Sequence, residues 1–140
     1  MKEYVLGFLF STTENVWLIR KNRNDWQKGL LNGIGGKIEL NESSVDAMKR
    51  EFREEAGLVI DDWKYYATIT DDKNYKVCCY YSYSDESAIT MTDEQVGCYP
   101  YKSLPSDIIP NINWLIPMAL SFSKGEKSYG FSVKEMYKVD

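Results

Sequence analysis

Four glutamates stand at fixed spacings in one stretch of the chain: Glu42, Glu51, Glu54 and Glu55. The residues around the last three read as helix. Glu51, Glu54 and Glu55 then fall at i, i+3 and i+4 and aim their carboxylates the same way. Like charges at that spacing repel by roughly 0.2–0.5 kcal/mol per pair on an isolated helix. A cluster of hard oxygen ligands is what Mg²⁺ or Mn²⁺ needs, and a bound cation would reverse the sign of that interaction. The plain alternative is a solvated acidic helix face, which many helices carry.

The elements that must position these carboxylates can be read around them. Ser43 or Ser44 serves as N-cap, and Asp46 stands three residues after Ser43 as a capping-box partner. Val45, Met48, Phe52 and Ala56 recur at helical spacing and form the core stripe, on a different face from the glutamates. Gly57 suits the left-handed residue that ends a helix. A glycine-rich turn, Gly33-Ile34-Gly35-Gly36, comes before the helix. Such glycines let backbone approach a phosphate closely, and their N–H groups can hold an anion.

The whole stretch is more specific than its parts. It runs Gly36, five residues, Glu42, seven residues, Arg50-Glu51, Phe52, one residue, Glu54-Glu55, one residue, Gly57, Leu58. This resembles the box of the Nudix hydrolase family at every position. The resemblance implies an α/β/α sandwich with a central mixed sheet. It also implies hydrolysis of a nucleoside diphosphate linked to another group, with Mg²⁺ (or Mn²⁺) as cofactor. By the same resemblance Glu51, Glu54 and Glu55 are metal ligands, and a backbone carbonyl near Gly36 completes the shell. Glu42 pairs with Arg50 and braces the loop against the helix.

Substrate choice lies outside the box. Leu31 to Lys37 is similar to the branch that hydrolyses nucleoside triphosphates, oxidised purine ones included. On that likeness Asn32 contacts the base and Lys37 joins the substrate-binding set. The plain alternative for Asn32 is a turn residue beside Gly33. Asp93-Glu94 before a short aromatic strand is similar to that branch too. It makes Glu94 a further metal ligand or the base that activates water, against the alternative of a solvated loop residue. Glu54 and Glu55 remain rivals for the base. Lys21 to Gly29 is a polar, basic loop leading into the glycine turn, and at least one of Arg20, Lys21 and Arg23 is expected on the phosphate side. Trp26 is either a base-stacking group or a buried anchor. One departure stands out. Ile109 to Trp114 carries no carboxylate where the oxidised-purine enzymes read the base with acidic side chains. Asn111 and Asn113 offer another donor and acceptor pattern there.

The totals narrow the alternatives. The chain has 140 residues, 44% hydrophobic and 14% aromatic, which is the size and make-up of a single domain over 1–140. A net charge of −4 argues against an extended nucleic-acid surface but not against one nucleotide held through metal. There is no histidine, which removes imidazole-based triads and zinc sites. The three cysteines, Cys78, Cys79 and Cys98, read as buried free thiols of a reducing compartment, hence a cytoplasmic protein. No leader or membrane span is visible. The expected partner is a nucleotide substrate. Relatives are both monomers and dimers, so a homodimer is one partner the resemblance allows. No long insertion or second domain is seen that would build a large pocket or an RNA surface.

The order of elements fits an α/β or α+β sheet between helices. Strands are expected at Tyr4–Phe10, Val16–Arg20, Trp63–Thr70, Tyr75–Tyr83, Val96–Tyr101 and Tyr129–Val139. The first two read as a hairpin, as do the third and fourth. Ser84–Thr92 reads as a polar loop. A second helix is expected at Ile112–Ser123, with Asn113 as N-cap and Pro117 near its first turn.

Overall fold

The structure, a computed structural model, describes residues 1–125 and 130–136. In chain order the elements are β1 (Lys2–Phe10), β2 (Asn15–Arg20), β3 (Leu31–Asn32), β4 (Ile34–Lys37), α1 (Ser44–Ala56), β5 (Lys64–Thr70), β6 (Tyr75–Tyr83), β7 (Val96–Pro100), α2 (Ile112–Lys124) and β8 (Phe131–Lys134). They form one mixed sheet in the order β3-β2-β1-β6-β5-β8, with β4 also paired to β1 and β7 to β2. β1 runs parallel to β6, and β5 parallel to β8. The other pairs are antiparallel.

β1 is apolar without alternation because both its faces are covered. Leu6, Phe8 and Phe10 join the core under α2, with Leu115, Ile116 and Ala119. Val5 and Leu9 join the core under α1, with Met48 and Phe52. Neighbouring Cys78 and Cys79 split between the two cores in the same way. The mixed sheet with a helix on each face is the architecture the resemblance implies.

Several local expectations are corrected. Gly33 to Gly36 is not simply a turn, because Ile34–Lys37 pairs with β1 as a strand. A Cβ at Gly35 would overlap the Val5 carbonyl, so glycine permits this pairing. The β1–β2 hairpin is reduced to one register pair, Phe10 with Val16. β2 instead pairs along its length with β7, a contact between distant segments that no local pattern announces. Asn111, not Asn113, holds the N-cap position of α2, and Pro117 lies inside that helix. The lost hydrogen bond is outweighed by burial of Ile112, Leu115, Ile116 and Ala119. Cys98 is exposed, unlike Cys78 and Cys79. The closing strand is described only over Phe131–Lys134, and Tyr129 and residues 137–139 lie outside the described residues. Among the described residues no helix is long and apolar enough to cross a membrane.

Candidate active site

α1 carries the acidic face, and both of its ends are fixed. Ser43 is the N-cap, its hydroxyl oxygen accepting from the Asp46 N–H at 3.2 Å. Gly57 takes φ 74°, and its N–H donates to the Arg53 carbonyl. The last carbonyls of a helix lack partners within it. Here the segment read as a polar loop supplies them. The Ile89 N–H donates to the Ala56 carbonyl at 2.9 Å, and the Met91 N–H to the Glu55 carbonyl at 3.3 Å. Ala88 is buried beside them, so this segment works as a strap across the helix end.

Arg50 gathers the site. Its Nε donates to Glu42 Oε2 at 2.7 Å and its Nη2 to Glu42 Oε1 at 2.9 Å. Nη2 also reaches the Lys37 carbonyl at 3.0 Å. Nη1 donates to Glu51 Oε1 at 2.9 Å and to Glu54 Oε2 at 3.2 Å. The Arg50 guanidinium holds the Glu42 carboxyl below its ordinary range, and Glu42 raises Arg50 in return. The expected Glu42–Arg50 brace is therefore present. Burial pushes Glu51 up, against the pull of Arg50. Gly36 makes room for Glu51, since a Cβ there would sit 2.5 Å from its carboxylate.

Glu55 differs from its neighbours. Its Oε2 is buried and has no hydrogen-bond partner. Burial pushes its pKa up to about 7, with the Lys21 charge acting in the opposite direction. A buried carboxylate oxygen without a donor is unfavourable unless a proton or a cation joins it. That orphan oxygen, with Glu51 and Glu54 on the same helix face, suits a hard divalent cation. Yet among the described residues no three acidic groups are gathered into a ready metal cage. The chain's own cations explain this. Arg50 draws Glu51 and Glu54, and Lys21 Nζ lies 2.9 Å from Glu94 Oε1. Glu94 also accepts from the Asn22 N–H at 2.7 Å, so it is not a free loop carboxylate.

A cavity of about 920 Å³ opens beside these groups. Glu51, Glu55, Gly36, Lys21 and Lys37 line it, together with Arg23, Trp26, Asn32 and Asn111. Glu54 and Glu94 are not among its lining residues, and Glu54 is half exposed. Trp26 is not a buried anchor: it is 67% exposed, on the cavity wall. Asn32 accepts from the Gly33 N–H at 2.8 Å, which is the turn contact, and it faces the cavity as well. Asn111 makes no capping hydrogen bond, and its Oδ1 is buried without a partner. Arg23 pairs with Asp25.

Arg20 is placed elsewhere. It does not line the cavity, and its Nη1 donates to the Gly29 carbonyl and to Asp107 at 2.7 Å. It braces the loop rather than facing a ligand. Sequence reasoning missed Tyr4, Tyr75 and Trp114 as cavity residues. Trp114 fitted the core stripe of α2, and the two tyrosines sit at strand starts that only the β1–β6 pairing brings together. The cavity is also larger than expected from a chain without insertions.

The profile of the NUDIX domain family matches residues 2–111. No curated protein sequence matches the chain. Among solved structures it is similar to a MutT NUDIX hydrolase from Burkholderia pseudomallei, at 17% identity and a TM-score of 0.72, covering 83% of this chain and 95% of that one. An ADP-ribose pyrophosphatase from Streptococcus suis superposes at 20% identity and 0.73, covering 95% and 98%. The NUDIX domain of Shewanella oneidensis NrtR, complexed with ADP ribose, superposes at 18% and 0.74, covering 87% and 88%. At these identities the likeness is one of fold. The profile match and the box with its Glu42–Arg50 brace place the chain in the Nudix family, whose members generally use divalent metal to hydrolyse nucleotide pyrophosphates.

Proposed function

We propose that this chain is a Mg²⁺-dependent pyrophosphohydrolase of nucleoside triphosphates, in the manner of the MutT-like branch. The observation that carries the reading is the buried, unpartnered Glu55 oxygen on the wall of a nucleotide-sized cavity. Glu51, Glu54 and Glu55 would hold Mg²⁺ or Mn²⁺, with the Gly36 backbone beside them. Bound metal would neutralise the phosphates and lower the pKa of a water. Arg50 keeps Glu51 and Glu54 in place. Lys21, Arg23 and Lys37 offer positive charge to the phosphates, Trp26 a stacking face, and Asn32 and Asn111 amide groups to the base edge. Water oxygen bonds to a phosphorus, one P–O anhydride bond breaks, and a carboxylate among Glu54, Glu55 and Glu94 takes the proton. The products are a nucleoside monophosphate and pyrophosphate.

The cavity size supports a second reading. Ligand sites of about 300–1,000 Å³ take drug-sized molecules, and this one is near the upper end. It has room for ADP-ribose, NADH or a dinucleoside polyphosphate, and a 5′-triphosphate RNA end is a further candidate. A hydrolysis panel with Mg²⁺ separates the two. It holds the four standard dNTPs, 8-oxo-dGTP, a methylated dNTP, ADP-ribose, NADH, a diadenosine polyphosphate and a triphosphorylated oligonucleotide. Preference for one dNTP with pyrophosphate release supports the first reading, and preference for ADP-ribose or a dinucleotide replaces it with the second. No turnover at all would favour a nucleotide-binding module.

A further inference from the structure

We infer that Lys21 is a resident counter-cation of the acidic site, and that metal loading breaks its pair with Glu94. The inference rests on the metal reading above. Lys21 Nζ lies 2.9 Å from Glu94 Oε1, and the two side chains are only 13% and 14% exposed. The same lysine lines the cavity beside Glu51 and Glu55, and its charge acts on the orphaned Glu55 carboxylate. Arg50, the cation on the glutamate helix itself, is committed, because it spreads its fork over Glu42, Glu51, Glu54 and the Lys37 carbonyl. An arginine held at several points is fixed. A lysine is a compact charge on a flexible stem and can withdraw.

A divalent ion beside Glu55 Oε2 repels the ammonium and attracts Glu94 more strongly than a single positive charge does. Lys21 must then leave Glu94. It sits on the cavity wall, so the released ammonium meets the phosphates of a bound nucleotide. In the metal-free protein Lys21 offsets part of the acidic charge, and metal has to displace it.

Removing that competing charge should therefore tighten metal binding, whereas a lysine that only braced the loop would weaken it when lost. The test is Mn²⁺ titration of the metal-free full chain, followed by electron paramagnetic resonance. Lys21→Met is expected to bind Mn²⁺ about tenfold more tightly than the parent, and Lys21→Arg within about twofold of it. Equal or weaker binding by Lys21→Met, in a parent that does bind, overturns this inference and leaves the metal reading standing. A parent that binds no Mn²⁺ at millimolar concentration overturns the metal reading itself. A second measurement needs no substitution. In the parent chain the Lys21 ammonium resonance should move in step with Mg²⁺ occupancy, and a signal unchanged at saturation overturns the inference.

Discussion

Glu55 is under two opposing demands. As a buried carboxylate with an unpartnered oxygen it weakens the metal-free fold, and as the metal ligand proposed above it would be needed for turnover. Replacing it with the neutral amide should separate these demands. Glu55→Gln is expected to raise the melting temperature of the metal-free protein by about 3 °C, corresponding to roughly 1 kcal/mol. The same change, and Glu54→Gln with it, should lower Mg²⁺-dependent turnover by at least ~10²-fold. Calorimetry in EDTA and steady-state rates check the two halves. Unchanged turnover in both variants would remove the metal assignment. Gly36, Glu42, Arg50, Glu51, Glu54 and Glu55 were legible because they lie within one continuous stretch. Arg20 was not, because the partner that takes it away from the cavity, Asp107, is 87 positions along the chain.

Between elements, the site depends on one side-chain brace and two glycines. Arg50 ties the loop before α1 to the helix through Glu42 and the Lys37 carbonyl. Arg50→Ala leaves Glu42 and Glu51 without their guanidinium, and is expected to cost about 2–4 kcal/mol, read from chemical denaturation. Arg50→Lys keeps the charge but not the paired contacts, so it should recover less than half of that loss. Gly57 needs its left-handed φ, and a Cβ there would lie 2.8 Å from Ile89. Gly57→Ala should destabilise by about 1–2 kcal/mol and loosen the strap over the helix end. Gly36→Ala should leave the melting temperature closer to the parent's while turnover falls, since the added methyl pushes on the Glu51 carboxylate. Both ends of α1 could be read from the sequence, as caps are local chemistry. The strap and β4 could not. Their hydrogen bonds go to partners far along the chain, and a run of glycines carries no strand signal until β1 lies beside it.

In the whole molecule, the sheet separates two cores and gives each helix a different task. α1 presents the acidic face, while α2 closes the far side and offers Asn111 and Trp114 to the cavity. The fold class was legible because the order of strands and helices fits a sheet between helices and the box stretch resembles one family at every position. The cavity was not, because its walls come from β1, the loop after β2, β3, β4, α1, β5, β6 and the start of α2, which meet only in the folded molecule. Its lining also includes aliphatic residues such as Leu6 and Val77, which read in sequence only as core. Together these parts are proposed to hydrolyse a nucleotide pyrophosphate with metal. The most direct measurement is chromatography of the products formed from a dNTP by the purified chain, with Mg²⁺ and then with EDTA. Nucleoside monophosphate and pyrophosphate, formed with Mg²⁺ and absent with EDTA, are the predicted result. Turnover that persists in EDTA and in Glu55→Gln would show that the chain hydrolyses without a metal held by Glu55.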